Sequence, residues 1–296
     1  MKDKRIRVAF ILGLLSSIGL TAFAHAEIPA SPKKATSVAL LGDGSTPKSN
    51  LRFFKALPFF SEGHFYLSGT AGASIGHVGN NNPTITYYNN LLTDAYPITH
   101  RTSTTGFLGL GGGFESTGHG RIPAVALGLG VYTTPSVYHY NGLVLETAQG
   151  GPANLLYQHR FHIQTTRLMA EGKLSWMVSM HDRIFLPYVD GGIGSAWSRA
   201  SDYTETVATP DGYVPLPGFQ SRTTNQFAYQ VGGGLGYSFN FASNQSLDKH
   251  ERLSLGYRFT GLGHQALGIR SAAYPFALNI GSFNTQDVYL TFTHLC

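Results

Sequence analysis

Few residues in this chain are of a type that does chemistry, and those few recur at the spacing of a β-strand. Arg167, Glu171 and Lys173 lie an even number of residues apart in one stretch, with Asp190, Arg258 and Asp287 at matching positions in three others. Side chains alternate faces along a strand, so each of these charges shares its face with small residues. Three bases and three acids confined together can close a space by ion pairing, line a narrow pore, or offer a carboxylate pair for acid–base work. An unpaired buried charge costs several kcal/mol, so pairing is the expected state. Other signals are weaker. Gly72-Ala73-Ser74-Ile75-Gly76 has the G-x-S-x-G pattern of a nucleophile elbow, but that motif needs a strand, a sharp turn and a helix, and no helical segment follows. His139, His159, His162 and His264 show no ligand spacing with a supporting Cys or carboxylate cluster, so no metal site is expected and the histidines read as solvated loop residues. The Gly runs carry neither a dinucleotide nor a P-loop fingerprint, so no cofactor is expected.

The element that positions the charges is clearest in Gln164–Trp197. Leu168, Ala170, Gly172, Leu174, Trp176 and Val178 occupy one face, and Thr165, Arg167, Met169, Glu171, Lys173 and Ser175 the other. After a polar break at Met180–Arg183 the alternation resumes. Phe185, Pro187, Val189, Gly191, Ile193 and Trp197 oppose Leu186, Tyr188, Asp190, Gly192 and Gly194. Each arm has the roughly 9–11 residues a tilted strand needs to cross a bilayer. From Gly63 there are eight such segments, near 63–76, 104–114, 121–132, the two arms of this hairpin, 225–240, 251–260 and 286–294.

Composition fits a membrane-embedded sheet. Charged residues make up 12% of the 296, against about 25% in a typical soluble domain. There are 36 glycines, 12% aromatics, and beyond the leader no apolar run of about 18 residues that would make a helical span. Lys2, Lys4, Arg5 and Arg7, then apolar Val8–Leu20, then Ala24-His25-Ala26 predict a cleaved signal peptide over 1–26 and a mature start at Glu27. Removing the leader's four Lys/Arg and one Asp from 21 and 16 leaves 17 and 15, a net of +2, which gives no case for nucleic acid. Cys296 is the single cysteine, so no intrachain disulfide forms. Residues 27–62 read as a periplasmic lead-in, with an extra strand or interfacial helix at Lys48–Leu57 as the alternative, and 63–296 as the barrel.

A soluble sandwich would also alternate, but with apolar residues inward and a Lys/Glu/Thr-rich face to water. Here the face opposite the large apolar residues is mostly Gly, Ala and Ser, as the narrow interior of an eight-strand barrel requires. Connections alternate too. Glu115–Gly120, Ser179–Arg183 and Phe241–His250 are short, whereas the others run about 20–28 residues, the asymmetry of outer-membrane barrels. The reading is therefore an all-β, eight-stranded antiparallel up-and-down transmembrane β-barrel. Outward aromatics fall into two expected girdles. The lower one holds Phe65, Phe114, Trp176, Phe185, Tyr237, Phe239 and Phe292, and the upper one Tyr132, Trp197, Phe227, Tyr229, Tyr257 and Phe259.

The leader, Leu108–Phe114, Pro187–Gly194 (PYVDGGIG), Gln230–Phe239 (QVGGGLGYSF) and Ser254–Phe259 (SLGYRF) resemble the OmpA-like and opacity-protein-like family of small outer-membrane β-barrels, over about Gly63–Leu295. That resemblance implies the outer membrane of a Gram-negative bacterium, contact with outer-membrane lipid and lipopolysaccharide, and insertion by the outer-membrane assembly machinery through a C-terminal strand that ends in an aromatic. Tyr289–Thr293 fits that strand, but His294-Leu295-Cys296 departs from its ending. The expected role is non-enzymatic, structural and surface-interacting. Long extracellular loops bearing Tyr87, Tyr88, Tyr138, Tyr140, Tyr203 and Tyr213 would contact host or matrix ligands. A narrow porin-like channel is the alternative, and a lipid-A-modifying barrel enzyme the third reading.

Overall fold

A computed structural model describes residues 63–79, 82–87, 92–116, 122–148, 151, 153–180, 183–207, 218–239, 251–272 and 275–296. The expected signal peptide and lead-in lie outside these residues. Thirteen strands are described: β1(Gly63–Val78), β2(Thr84–Tyr87), β3(Leu92–Ala95), β4(Ile98–His100), β5(Thr102–Ser116), β6(Ala124–Thr133), β7(Tyr138–Ala148), β8(Ala153–Ser175), β9(Val178–Met180), β10(Arg183–Val207), β11(Arg222–Phe239), β12(Glu251–Ile269) and β13(Ala277–Leu295). Eight close a ring, β1–β5–β6–β8–β10–β11–β12–β13, and β13 pairs back onto β1. Every pair is antiparallel and joins ring strands consecutive in sequence, so the barrel is up-and-down. The seam runs from Tyr66↔Leu295 to Val78↔Phe283, and the Cys296 N–H still donates to the Phe65 carbonyl at 2.8 Å.

The wall faces the way its alternation dictates. Phe65, Leu67, Leu110, Leu129, Ile193, Phe227, Val231, Leu255 and Leu290 are all more than half exposed, and they form an apolar belt around the ring. Each such side chain left in water instead of buried forgoes about 1.5–3 kcal/mol, so a belt of this extent requires a lipid solvent. Glycine lets the strands approach inside it. A Cβ at Gly113 would strike the Leu127 carbonyl, and one at Gly194 the Leu168 carbonyl.

The strands are longer than a membrane needs. β10 has 25 residues and β8 has 23. At about 3.3 Å per residue and a tilt near 40°, 25 residues rise roughly 60 Å, against an apolar band of about 25 Å. The outer faces mark where lipid ends. Along β8, toward its N-terminal end, outward residues change from Leu174 and Leu168 to exposed Gln164, Arg160 and Gln158. Beyond Trp197, β10 turns Arg199 outward. Inside, the change is the reverse. Tyr138, Tyr140, Phe161, Ile163, Leu262, Leu267, Ile280 and Phe283 fill the interior above the belt and are almost wholly buried. The barrel thus has two storeys: a lower one greasy outside and polar inside, and an upper one polar outside and mostly aromatic and aliphatic inside.

Among the described residues, stretches expected as long loops belong to this upper wall. Tyr138–Gly142 belongs to β7, Asp202–Thr206 to β10, His159 and His162 to β8, and His264 to β12. After β6 the chain breaks only at Thr134–Val137, then continues upward as β7 along the same neighbour. β8 pairs Thr166–Ser175 with β6 and Ala153–Ile163 with β7. Pro135 cannot donate to a ladder, which accounts for the break. Thr134 bridges it, its N–H donating to the Thr165 carbonyl and its hydroxyl accepting from the Thr165 N–H, both at 3.0 Å. β3 and β4 add to the free edge of β7, and β2 to β3.

Candidate functional site

The lumen at belt height gathers all six charges named from sequence. Arg167 meets Asp287 at 2.5 Å, and Arg258 approaches both Asp287 (3.8 Å) and Glu171 (3.6 Å). Arg258 and Asp287 are direct cross-strand partners on β12 and β13. Asp287 also accepts the Ser74 hydroxyl at 2.5 Å, and Ser74 in turn accepts the Tyr138 phenol at 2.7 Å. Ser74 is thus a sealed strand residue inside the ion network, not an exposed elbow. Gln230 donates to Glu171 at 2.6 Å.

Lys173 and Asp190 face each other in register, yet each takes a phenol or ring as neighbour. The Lys173 ammonium sits 4.0 Å from the centre of the Tyr188 ring, and Asp190 accepts the Tyr289 hydroxyl at 3.2 Å. Below them lies a pair absent from the sequence-derived set: Arg252 donates to Glu115 at 2.5 Å. Parity carried the signal for both. Arg252 alternates with Ser254, Gly256 and Arg258, and Glu115 with Gly109, Gly111 and Gly113.

Twelve of the thirteen girdle aromatics singled out from sequence are exposed or half-exposed on the outer wall. Trp176 and Phe292 are about two-fifths exposed, Phe65 packs edge-on against Phe114 at 5.7 Å, and Phe185 lies tilted against Tyr237 at 5.7 Å. Trp197, Tyr257 and Phe259 lie toward the upper rim. Tyr132 is the correction. It points into the lumen with Ala126, Gly128 and Gly130, whose parity it shares, and its ring lies under the Arg258 (4.4 Å) and Arg167 (5.1 Å) guanidinium groups. Gly109 and Gly130 provide the room it needs.

Above the network the interior is sealed by packing. Tyr140 stacks on Phe161 at 5.5 Å, and Phe283 meets Tyr138 edge-on at 5.4 Å. Tyr138, Tyr140 and Tyr203, expected as exposed loop tyrosines, are buried here because β7 and β10 continue as strands and turn them inward. Tyr88 and Tyr213 lie outside the described residues, as does the side chain of Tyr87. Higher still is a second polar cluster. Arg270 grips both oxygens of Glu205 at 2.6 and 2.7 Å, and donates to the Tyr96 hydroxyl at 2.8 Å. Tyr96 donates to Asp94 at 3.2 Å, and Tyr203 to Glu205 at 2.7 Å. His159 stacks between Phe161 and Tyr203. Burial pushes the Asp94 carboxyl up to about 6, with the Tyr96 phenol pulling against it. Burial pushes the His159 imidazole down to about 4, with the Pro97 carbonyl pulling against it. Nothing in the sequence marked this cluster, because its residues were read as loop.

In the lumen, about 70 Å³ remains in which water centres can sit, room for a few molecules among Tyr66, Glu115, Lys173, Asp190 and Arg258. Only helices and closed barrels satisfy the backbone in lipid, and this ring is closed, belted and polar within. The chain is a transmembrane β-barrel.

No family model matches the sequence of this transmembrane barrel, and no curated protein matches it in sequence. Among solved structures it is similar to Neisserial surface protein A, with a TM-score of 0.36, 9% identity, and 77% of this chain and 95% of that one covered. It is similar to the outer membrane protein OprG of Pseudomonas aeruginosa, with a TM-score of 0.31, 13% identity, and 79% and 96% covered. It is also similar to the translocator domain of the autotransporter NalP of Neisseria meningitidis, with a TM-score of 0.25, 10% identity, and 82% and 93% covered. The ring and belt of this chain define its fold independently of these likenesses.

Proposed function

We propose that the protein is a non-enzymatic barrel of the Gram-negative outer membrane, with a structural and surface-interaction role and a lumen that does not conduct. The observation that carries this reading is the double closure. An ion-paired lumen at belt height is capped by an aromatic core that includes Tyr138, Tyr140, Phe161 and Phe283. Among the described residues, the surface offered outward is the polar wall of the upper storey. Its outward residues on β8 and β10, such as Arg160, Gln164 and Arg199, are the groups that host or matrix ligands would meet. The belt would contact outer-membrane lipid and lipopolysaccharide, and β13 would be the strand presented to the assembly machinery. Single-channel recording of the detergent-purified protein in planar bilayers tests it. Silence is expected, and sustained unitary conductance steps would replace this reading with the porin-like one.

A further inference from the structure

We propose that His139 and His162, backed by Asp202, form a transition-metal site on the outer wall of the upper storey. His139 on β7 and His162 on β8 are direct cross-strand partners. Their inward neighbours Tyr138, Tyr140, Phe161 and Ile163 are buried, so both imidazoles face outward. The His139 N–H donates away from β8, to the Ser103 hydroxyl at 2.8 Å, which makes this a non-hydrogen-bonded pair, the kind whose side chains lie closest. The two ring centres are 4.4 Å apart. An ion about 2.1 Å from one nitrogen of each ring puts the centres roughly 4.6–5.3 Å apart, a small rotamer adjustment away.

The third residue comes from a distortion of β10. The β8–β10 register slips between Ser201 and Thr204, and Asp202 adopts a left-handed backbone (φ 54°) that few residues other than glycine tolerate. The slip aims the Asp202 carboxylate at His162 Nδ1, 3.2 Å away, while Ser201 donates to the same oxygen at 3.0 Å. A carboxylate holding Nδ1–H fixes the tautomer and leaves Nε2 for a metal, as in carboxylate–histidine–metal arrangements. Arg160, on the same face, is engaged by the Thr204 hydroxyl at 2.8 Å. Among the described residues no three His, Cys, Asp or Glu side chains close around an ion. The site is therefore one of two imidazoles with open positions for water or an outside ligand, suited to Zn²⁺, Ni²⁺ or Cu²⁺ more than to Ca²⁺ or Mg²⁺.

The test is titration of the folded, detergent-purified barrel with ZnCl₂ by calorimetry and with CuCl₂ by electron paramagnetic resonance. One ion per barrel is expected, with two-nitrogen coordination of Cu²⁺. His139→Ala and His162→Ala should each weaken binding at least tenfold, and Asp202→Asn, at the positioning residue, 10–100-fold, while His264→Ala leaves it unchanged. Retained heat-modifiability on gels shows that each variant is folded. Wild-type affinity in both single histidine variants, or uptake by the wild type no greater than by the doubly substituted chain, overturns the site.

Discussion

Arg167 and Asp287 meet where neither side chain is more than 5% exposed, so each charge depends on the other. Arg167→Ala would leave Asp287 facing Arg258 alone at 3.8 Å and should cost about 3–5 kcal/mol, read as a lower urea midpoint in detergent. Replacing both partners with apolar residues should recover much of that loss. Asp94 and His159 titrate in opposite senses. Because Asp94 is raised to about 6, its contribution to stability is present in acid and lost as pH rises through about 6. Because His159 is lowered to about 4, its contribution is present above about 6.5 and lost as pH falls through about 4. Asp94→Asn should therefore make the upper storey more acid-sensitive than wild type between pH 4 and 6.5, and His159→Gln less so, as followed by hydrogen exchange. Profiles superimposable on wild type would remove both assignments. The lumen charges were legible in the sequence because parity alone sets which way a strand residue points. The Tyr96–Glu205–Arg270 cluster was not, because its residues lie on or beside strand extensions beyond the belt, where the sequence reads as loop and parity has no greasy face to be measured against.

At the level of the strand, alternation marks eight segments but understates their length. Alternation of large apolar residues is conspicuous only where the outside is lipid. Above the belt the outward set becomes Gln158, Arg160, His162 and Gln164, and the inward set aromatic, so the pattern keeps its period while exchanging its faces. Segments with the opposite phase look like loops to a reader searching for greasy exteriors. Close strand approach predicts a sharp contrast between two glycines. A Cβ at Gly234 meets the Leu255 carbonyl and, at 2.7 Å, the Tyr188 hydroxyl, whereas one at Gly69 meets nothing within 4 Å. Gly234→Val should abolish the heat-modifiable folded form on gels, and Gly69→Val should keep it. The break at Thr134–Val137 is bridged by the Thr134 N–H and hydroxyl, and Thr134→Val, which removes only the hydroxyl acceptor, should raise exchange of the Thr165 amide with little change elsewhere.

For the molecule as a whole, the two closures make different demands. Removing the lumen charges with Arg167→Ala and Arg258→Ala should destabilise the barrel yet leave planar bilayers silent, because the packing of Tyr140, Phe161 and Phe283 lies above them. Conductance from that double variant would locate the seal in the ions alone. The reversal of polarity also constrains assembly. In the proposed orientation, with the upper storey outside the cell, Tyr138, Tyr140, Phe161, Ile163 and Phe283 end up sheltered on the far side of the bilayer, in a cup built from strands that must get there first. The chain has to export its own dry centre in unfolded form, and that centre can condense only after the crossing is complete.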